Sequence, residues 1–176
     1  NAQSRTLEEM FLRRSIGYRI VGGLKFYQRK EIKDVIAYVR FLENSRDTLA
    51  LERIINAPSR GIGQVTLDRW TKTAREQSQN LFDAAYALSE ESSINKRKIA
   101  AIRSFADIFL KLREEMKVKP DMTLAELLKR LITESGYLKS LADGTSEGET
   151  RQENVQELLS VAKKYDGTAL DEALRL

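Results

Sequence analysis

A single stretch of this chain, Tyr18-Arg19-Ile20-Val21, alternates as a β-strand does, with strand-forming side chains and a Gly22-Gly23 stop behind it. One strand without a partner is not stable. Elsewhere the apolar residues return at spacings of three and four, the period of a helix buried along one face. The sequence therefore predicts a mainly α arrangement with at most one short β-strand or strand pair. Its 176 residues suffice for one ordinary hydrophobic core or two small ones.

The helix pattern begins over residues 6–15, with Leu7, Met10 and Phe11 on one face, and Gly17 ends it. Residues 30–43 carry the stripe Ile32, Val35, Ile36, Val39 and Leu42. Thr48 is positioned to cap a short helix that Pro58 stops, and residues 66–77 form the next, with Leu67, Trp70 and Ala74 on one side. Asn80 with Asp83 opens another. The serine-rich stretch 89–93 is the expected domain boundary. Beyond it a long helix runs to about Met116, carrying Ile99, Ile102, Phe105, Phe109 and Leu112. Thr123 and Glu126 form a capping box for a leucine-rich helix, and Ser135-Gly136 fits its C-terminus. Residues 142–149 read as an acidic, glycine-containing loop, with Thr150 and Glu153 capping a helix after it, and a last helix starts at Thr168. The second half is expected to gather Ile102, Phe105, Phe109, Leu127, Leu131, Val155 and Leu158 into one core.

The chain has no cysteine and no histidine, which excludes disulfides, thiol nucleophiles, imidazole bases and Cys/His zinc sites. Carboxylate pairs such as Glu8/Glu9 and Glu114/Glu115 are neighbours in sequence and diverge on a helix. No catalytic residue and no metal-ligand set is expected. Charge is uneven. Residues 1–80 hold 15 Lys/Arg against 9 Asp/Glu, a net +6, whereas residues 81–176 hold 15 against 17, a net −2. The basic half points modestly to a polyanion.

Two segments carry a specific chemistry. Ile54-Ile55-Asn56-Ala57-Pro58-Ser59-Arg60-Gly61-Ile62-Gly63 reads as helix, turn and Gly-Ile-Gly, followed by a helix. Gly61 and Gly63 leave bare backbone, Ile62 points inward, and the amides opening the next helix face out as an anion site. Arg60 and Arg69 add contacts to a phosphate backbone, Arg60 as a mobile counter-charge, and Thr66 stands at the helix start. The alternative is a plain helical hairpin. The second segment, Gly22 through Glu31, combines Lys25, Phe26, Tyr27, Arg29 and Lys30, so bases could stack on aromatics while cations meet phosphate. The alternative has Phe26 plugging the core. Lys96-Arg97-Lys98 is a small basic run at a helix start, read as facing solvent.

Several blocks resemble superfamily 1A DNA helicases of the UvrD, PcrA and Rep type. Asn1-Ala2-Gln3-Ser4-Arg5 with Leu7-Glu8-Glu9 looks like the tail of their motif IV. Tyr18 to Tyr27 with Arg29-Lys30-Glu31-Ile32-Lys33-Asp34 is similar to the next block, and Leu51 to Asn56 with Pro58 and Arg60-Gly61-Ile62-Gly63 to the one after. Ser135-Gly136-Tyr137 and Arg151 to Leu158 are weaker matches. The resemblance implies a piece of a larger motor, in keeping with a start at Asn1 rather than Met. Residues 1–92 would belong to the second RecA-like domain (2A) and 93–176 to its helical 2B insertion. It implies an ATP-dependent 3′-to-5′ DNA helicase of repair or replication, bacterial, cytoplasmic and nucleoid-associated. ATP and Mg²⁺ would serve the whole enzyme and be bound by none of these residues; Arg5 is not assigned a phosphate role. The implied partners are single-stranded DNA, single/double-strand junctions, domains 1A and 1B and the remainder of 2A and 2B, with no membrane. Strand contact would fall to Lys25, Phe26, Tyr27, Arg29, Arg60, Gly61, Ile62, Gly63, Thr66 and Arg69. A non-catalytic DNA-binding or protein-interaction module is the alternative.

Overall fold

The computed structural model describes residues 24–89, 93–168 and 170, with side chains from Phe26 onward. The expected helix at 6–15, the strand at 18–21 and nearly all of the helix beginning at Thr168 lie outside the described residues. Within them the chain is helical throughout and holds no strand. The elements are α1 (Leu24–Tyr27), α2 (Lys30–Glu43), α3 (Thr48–Ile54), α4 (Gln64–Glu76), α5 (Leu81–Ala87), α6 (Lys96–Val118), α7 (Leu124–Glu134), α8 (Tyr137–Leu141) and α9 (Ser146–Ala162). A 3₁₀ turn, Lys163–Tyr165, follows.

α2 is the central element, packed against α3, α7 and α9. Its buried side is wider than the stripe predicted for it. Tyr38 and Phe41 lie at its middle, fully buried, while Ile36 looks outward. Neighbours on several sides favour a broad face centred on the large rings, so a narrow aliphatic stripe was the wrong centre. Phe41, Phe82, Phe105 and Phe109 make mutual edge-on and stacked contacts at 5.0–5.9 Å. Tyr38 stacks on Phe109 at 6.0 Å, and Trp70 meets Phe105 edge-on. These rings come from α2, α4, α5 and α6, so residues on both sides of the 89–93 junction share one hydrophobic core. The junction is a change of charge and composition, not a gap in packing. All seven apolar residues predicted for the second-half core are buried in it.

Caps explain most differences at helix ends. The Asn80 side chain accepts from Phe82 and Asp83 N–H, and Thr123 with Glu126 makes a full capping box, as predicted. α3 is capped by Asp47, one residue before Thr48. α4 starts at Gln64, two residues before Thr66, because the extended Gly63 serves as its N-cap. The second half of the expected 142–149 loop is helix. Thr145 Oγ1 accepts from Gly148 N–H at 2.9 Å and starts α9 at Ser146. No helix among the described residues is long and apolar enough to cross a membrane.

One shared core predicts one unfolding event. Fluorescence of Trp70, in the first half, and far-UV circular dichroism of the whole chain should give coincident urea transitions. Phe109→Ala should lower stability by about 3–5 kcal/mol and move both curves together.

Candidate nucleic-acid interface

Between α3 and α4 the chain makes a tight hairpin whose shape is set by Asn56. Its Oδ1 accepts from Arg60 N–H at 3.1 Å and Ile62 N–H at 3.2 Å, while its Nδ2 donates to the Ile62 carbonyl at 2.6 Å. Gly61 takes the left-handed conformation, φ +67°, in which a side chain would be strained. Ile62 turns in and is 2% exposed, as predicted. Gly61 and Gly63 are exposed, and a Cβ built on either would meet nothing within 4 Å. Gly63 supplies no side-chain cap, so the first amides of α4 open onto this bare backbone.

Arg60 departs from the expected mobile counter-charge. Its Nη1 donates to the carbonyls of Ile54, Ile55 and Pro58 at 3.0–3.2 Å. Its Nη2 donates to Tyr38 Oη at 3.1 Å and to the Ser135 carbonyl at 2.8 Å. The guanidinium also lies 4.8 Å from the Phe105 ring centre. The carbonyls that end α3 and α7 need donors, and a guanidinium offers several in one plane, so the side chain folds inward. Thr66 is buried in the first turn of α4. Arg69 is exposed, with its guanidinium donating to the Ser93 carbonyl.

The second candidate segment is divided between core and surface. Phe26 is buried, which closes its face to a stacking base, while Tyr27 is 41% exposed and meets Phe26 edge-on at 5.2 Å. Lys25 falls in α1, and its side chain lies outside the described residues. Arg29 packs over Phe26 and donates to Asn154 Oδ1. Asn154 Nδ2 donates to the buried Glu31 at 2.6 Å. The neighbouring Asp34 accepts from Tyr137 Oη at 2.8 Å and pairs with Arg53 Nε at 2.8 Å. The Arg29–Asp34 block thus joins α2 to α3, α8 and α9. Burial, then the Asp34 charge and hydrogen bond, hold the Tyr137 hydroxyl well above the ordinary tyrosine range, and burial also raises Tyr38.

Residues 1–175 match the UvrD-like helicase C-terminal domain. The chain belongs to that family. It is 38% identical over 175 residues to DNA helicase II of Escherichia coli (strain K12), covering 99% of this chain and 24% of that protein. DNA helicase II of Salmonella typhimurium is 37% identical over the same length. The ATP-dependent DNA helicase PcrA of Staphylococcus aureus is 36% identical over 174 residues, 98% of this chain and 23% of PcrA. The chain therefore spans about a quarter of the length of these relatives.

Within this UvrD-like domain, no group of three or more Asp and Glu side chains among the described residues is arranged to hold a metal ion. Sequence reasoning missed the structural parts of Asn56, Tyr38 and Ser135. Asn56 alone carried a signal, a side-chain amide between a helix end and a proline turn. Tyr137 makes the buried link to Asp34 testable. Above pH 10 the unfolded chain loses its tyrosine protons while the folded chain keeps that of Tyr137. The folded state then binds more protons, so stability falls as pH rises, by up to about 1.4 kcal/mol per pH unit for each retained proton. Tyr137→Phe should be less stable at pH 8 and show a shallower decline between pH 10 and 11, read by urea denaturation at each pH.

Proposed function

We propose that this UvrD-like domain grips the phosphate backbone of DNA through the Gly61–Gly63 hairpin, as one part of an ATP-dependent 3′-to-5′ DNA helicase of repair or replication. The bare start of α4 carries the reading. Two side-chain-free residues flank an inward-locked Ile62, and the amides behind them stand at the positive end of a 13-residue helix, where an anion is favoured. Neutral amides contact phosphate oxygens and read no base edge, so binding is insensitive to sequence. Arg69 and the basic run Lys96-Arg97-Lys98, which follows Arg69's partner Ser93, supply nearby positive charge. Tyr27 remains the stacking candidate of the first segment.

In this reading ATP and Mg²⁺ are held by other parts of the helicase, and the isolated chain does not hydrolyse ATP. Residues 1–92 would come from domain 2A and 93–176 from 2B, with single-stranded DNA and single/double-strand junctions as substrates in the bacterial cytoplasm. Taken alone, the chain acts as a non-catalytic DNA-binding module. That description is favoured by a set of polar side chains spent on packing and on shaping one exposed loop.

Gly63→Asp separates binding from folding. Gly63 has φ −78°, open space around it and the N-cap position, where an aspartate is well suited. The substitution should leave the melting temperature unchanged or raise it slightly. It should also weaken binding to labelled single- and double-stranded oligonucleotides by about tenfold or more, because a carboxylate occupies the amides. Unchanged affinity in an anisotropy titration would remove the hairpin from the interface.

A further inference from the structure

The segment Ser135-Gly136-Tyr137 lies far from the hairpin in sequence, yet it forms the hairpin's seat. Arg60 donates to the Ser135 carbonyl at 2.8 Å. Gly136, at φ +75°, turns the chain from α7 into α8 beside Pro58, whose Cγ would lie 3.7 Å from a Cβ at that position. Tyr137 anchors the corner to α2 through Asp34, and its ring lies 5.9 Å from that of Tyr38. Tyr38 closes the circuit: its hydroxyl donates to the Ala57 carbonyl at 2.6 Å and accepts from Arg60. The hairpin's inner side is therefore tied by Arg60 and Tyr38 to two other elements, while Gly61 and Gly63 leave bare backbone exposed on its outer side.

We propose that Arg60 and Tyr38 are positioning residues for DNA binding: they hold the Gly61 and Gly63 amides and the start of α4 in place on the α7–α8 corner and do not touch the nucleic acid. This rests on the hairpin being the binding site. A phosphate contact by Arg60 would require its guanidinium to leave five acceptors and the Phe105 face, exposing the carbonyls that end α3 and α7. A lysine cannot replace it, because one ammonium cannot span acceptors spread across two helix ends.

The test uses the 176-residue chain and a fluorescein-labelled duplex oligonucleotide of arbitrary sequence, titrated by anisotropy at four KCl concentrations. The proteins are the parent, Tyr38→Phe, Arg60→Ala, Arg60→Lys, the Tyr38→Phe/Arg60→Ala double variant and Gly63→Asp. Tyr38→Phe and Arg60→Ala should each weaken binding about five- to tenfold, with the slope of log K against log [KCl] unchanged. The double variant should be no worse than Arg60→Ala, since both remove one linkage, and Arg60→Lys should not recover affinity. In the free protein the amide signals of Gly61 and Gly63 should shift in Tyr38→Phe, which circular dichroism should show to be folded. A direct phosphate contact gives the opposite pattern: Arg60→Ala flattens the slope by about 0.9, Arg60→Lys binds almost normally and Tyr38→Phe is silent. That pattern overturns the proposal. So does loss of binding in Gly63→Asp while Arg60→Ala and Tyr38→Phe bind as the parent does. Parent-like binding by Gly63→Asp would instead bring down the hairpin as the site. Should Arg60→Ala fail to fold, Tyr38→Phe carries the test alone, through its affinity, its salt slope and the two glycine signals.

Discussion

Helices in this domain end on arginines that belong to other elements. Each α-helix leaves its last carbonyls without intrahelical donors, and where those ends are packed against protein, water cannot supply them. Arg113 of α6 donates to the carbonyls of Leu42 and Glu43 at the end of α2. Arg103, also of α6, donates to the Leu88 carbonyl at 2.8 Å and to Tyr86 and Ala85, closing α5. Arg60 closes α3 and α7 together. Each guanidinium also faces a ring, Phe82, Tyr86 or Phe105, at 4.7–5.8 Å. The positive charge meets the negative end of a helix on one side and an aromatic face on the other, and each such contact contributes about 0.5–1 kcal/mol or more where water is excluded. Burial lowers the pKa of Arg113 below its ordinary value, the expected cost of placing a cation there.

This device makes the hairpin part of the core. A loop held only by its own turn could adjust to a ligand independently. Here the residue before Gly61 is bonded to α2, α3 and α7, and the Tyr38 that meets it stacks on Phe109 at the centre of the aromatic cluster. Distortion of the hairpin therefore unsettles helix ends, and changes in helix packing reach the exposed amides. Such coupling suits the proposed role of the hairpin, because pre-organised amides avoid an ordering cost when phosphate binds.

The helical class, the long α6, the Asn80 cap, the Thr123 capping box and the inward Ile62 were legible because each depends on local spacing. So was the Gly-Ile-Gly turn. The direction of Arg60 was not legible. An arginine beside glycines reads as a phosphate ligand, and nothing local shows that the Ser135 carbonyl, 75 residues later, will come within reach. Glu31, Asp34 and Asn154 were hidden for the same reason: charged residues on a helix read as its solvent side until Tyr137 and Arg53 arrive from elsewhere. The resemblance to helicases marked these blocks without separating residues that hold the fold from residues that meet DNA.

That separation changes what the charge of the chain means. A net +6 over the first 80 residues reads as a field for a polyanion. Much of it is engaged with protein atoms: Arg29 with Asn154, Arg40 with Asp47, Arg53 with Asp34, Arg60 with five oxygens and Arg69 with Ser93. A guanidinium bonded to carbonyls keeps its charge but loses the freedom to follow a phosphate, so it contributes to a diffuse potential and not to a contact. On the proposed reading, affinity at the hairpin depends chiefly on where its neutral amides sit. In the proposed helicase role this division has a physical advantage. Each neutral contact releases few counterions, is individually weak, and recurs at every phosphate regardless of sequence.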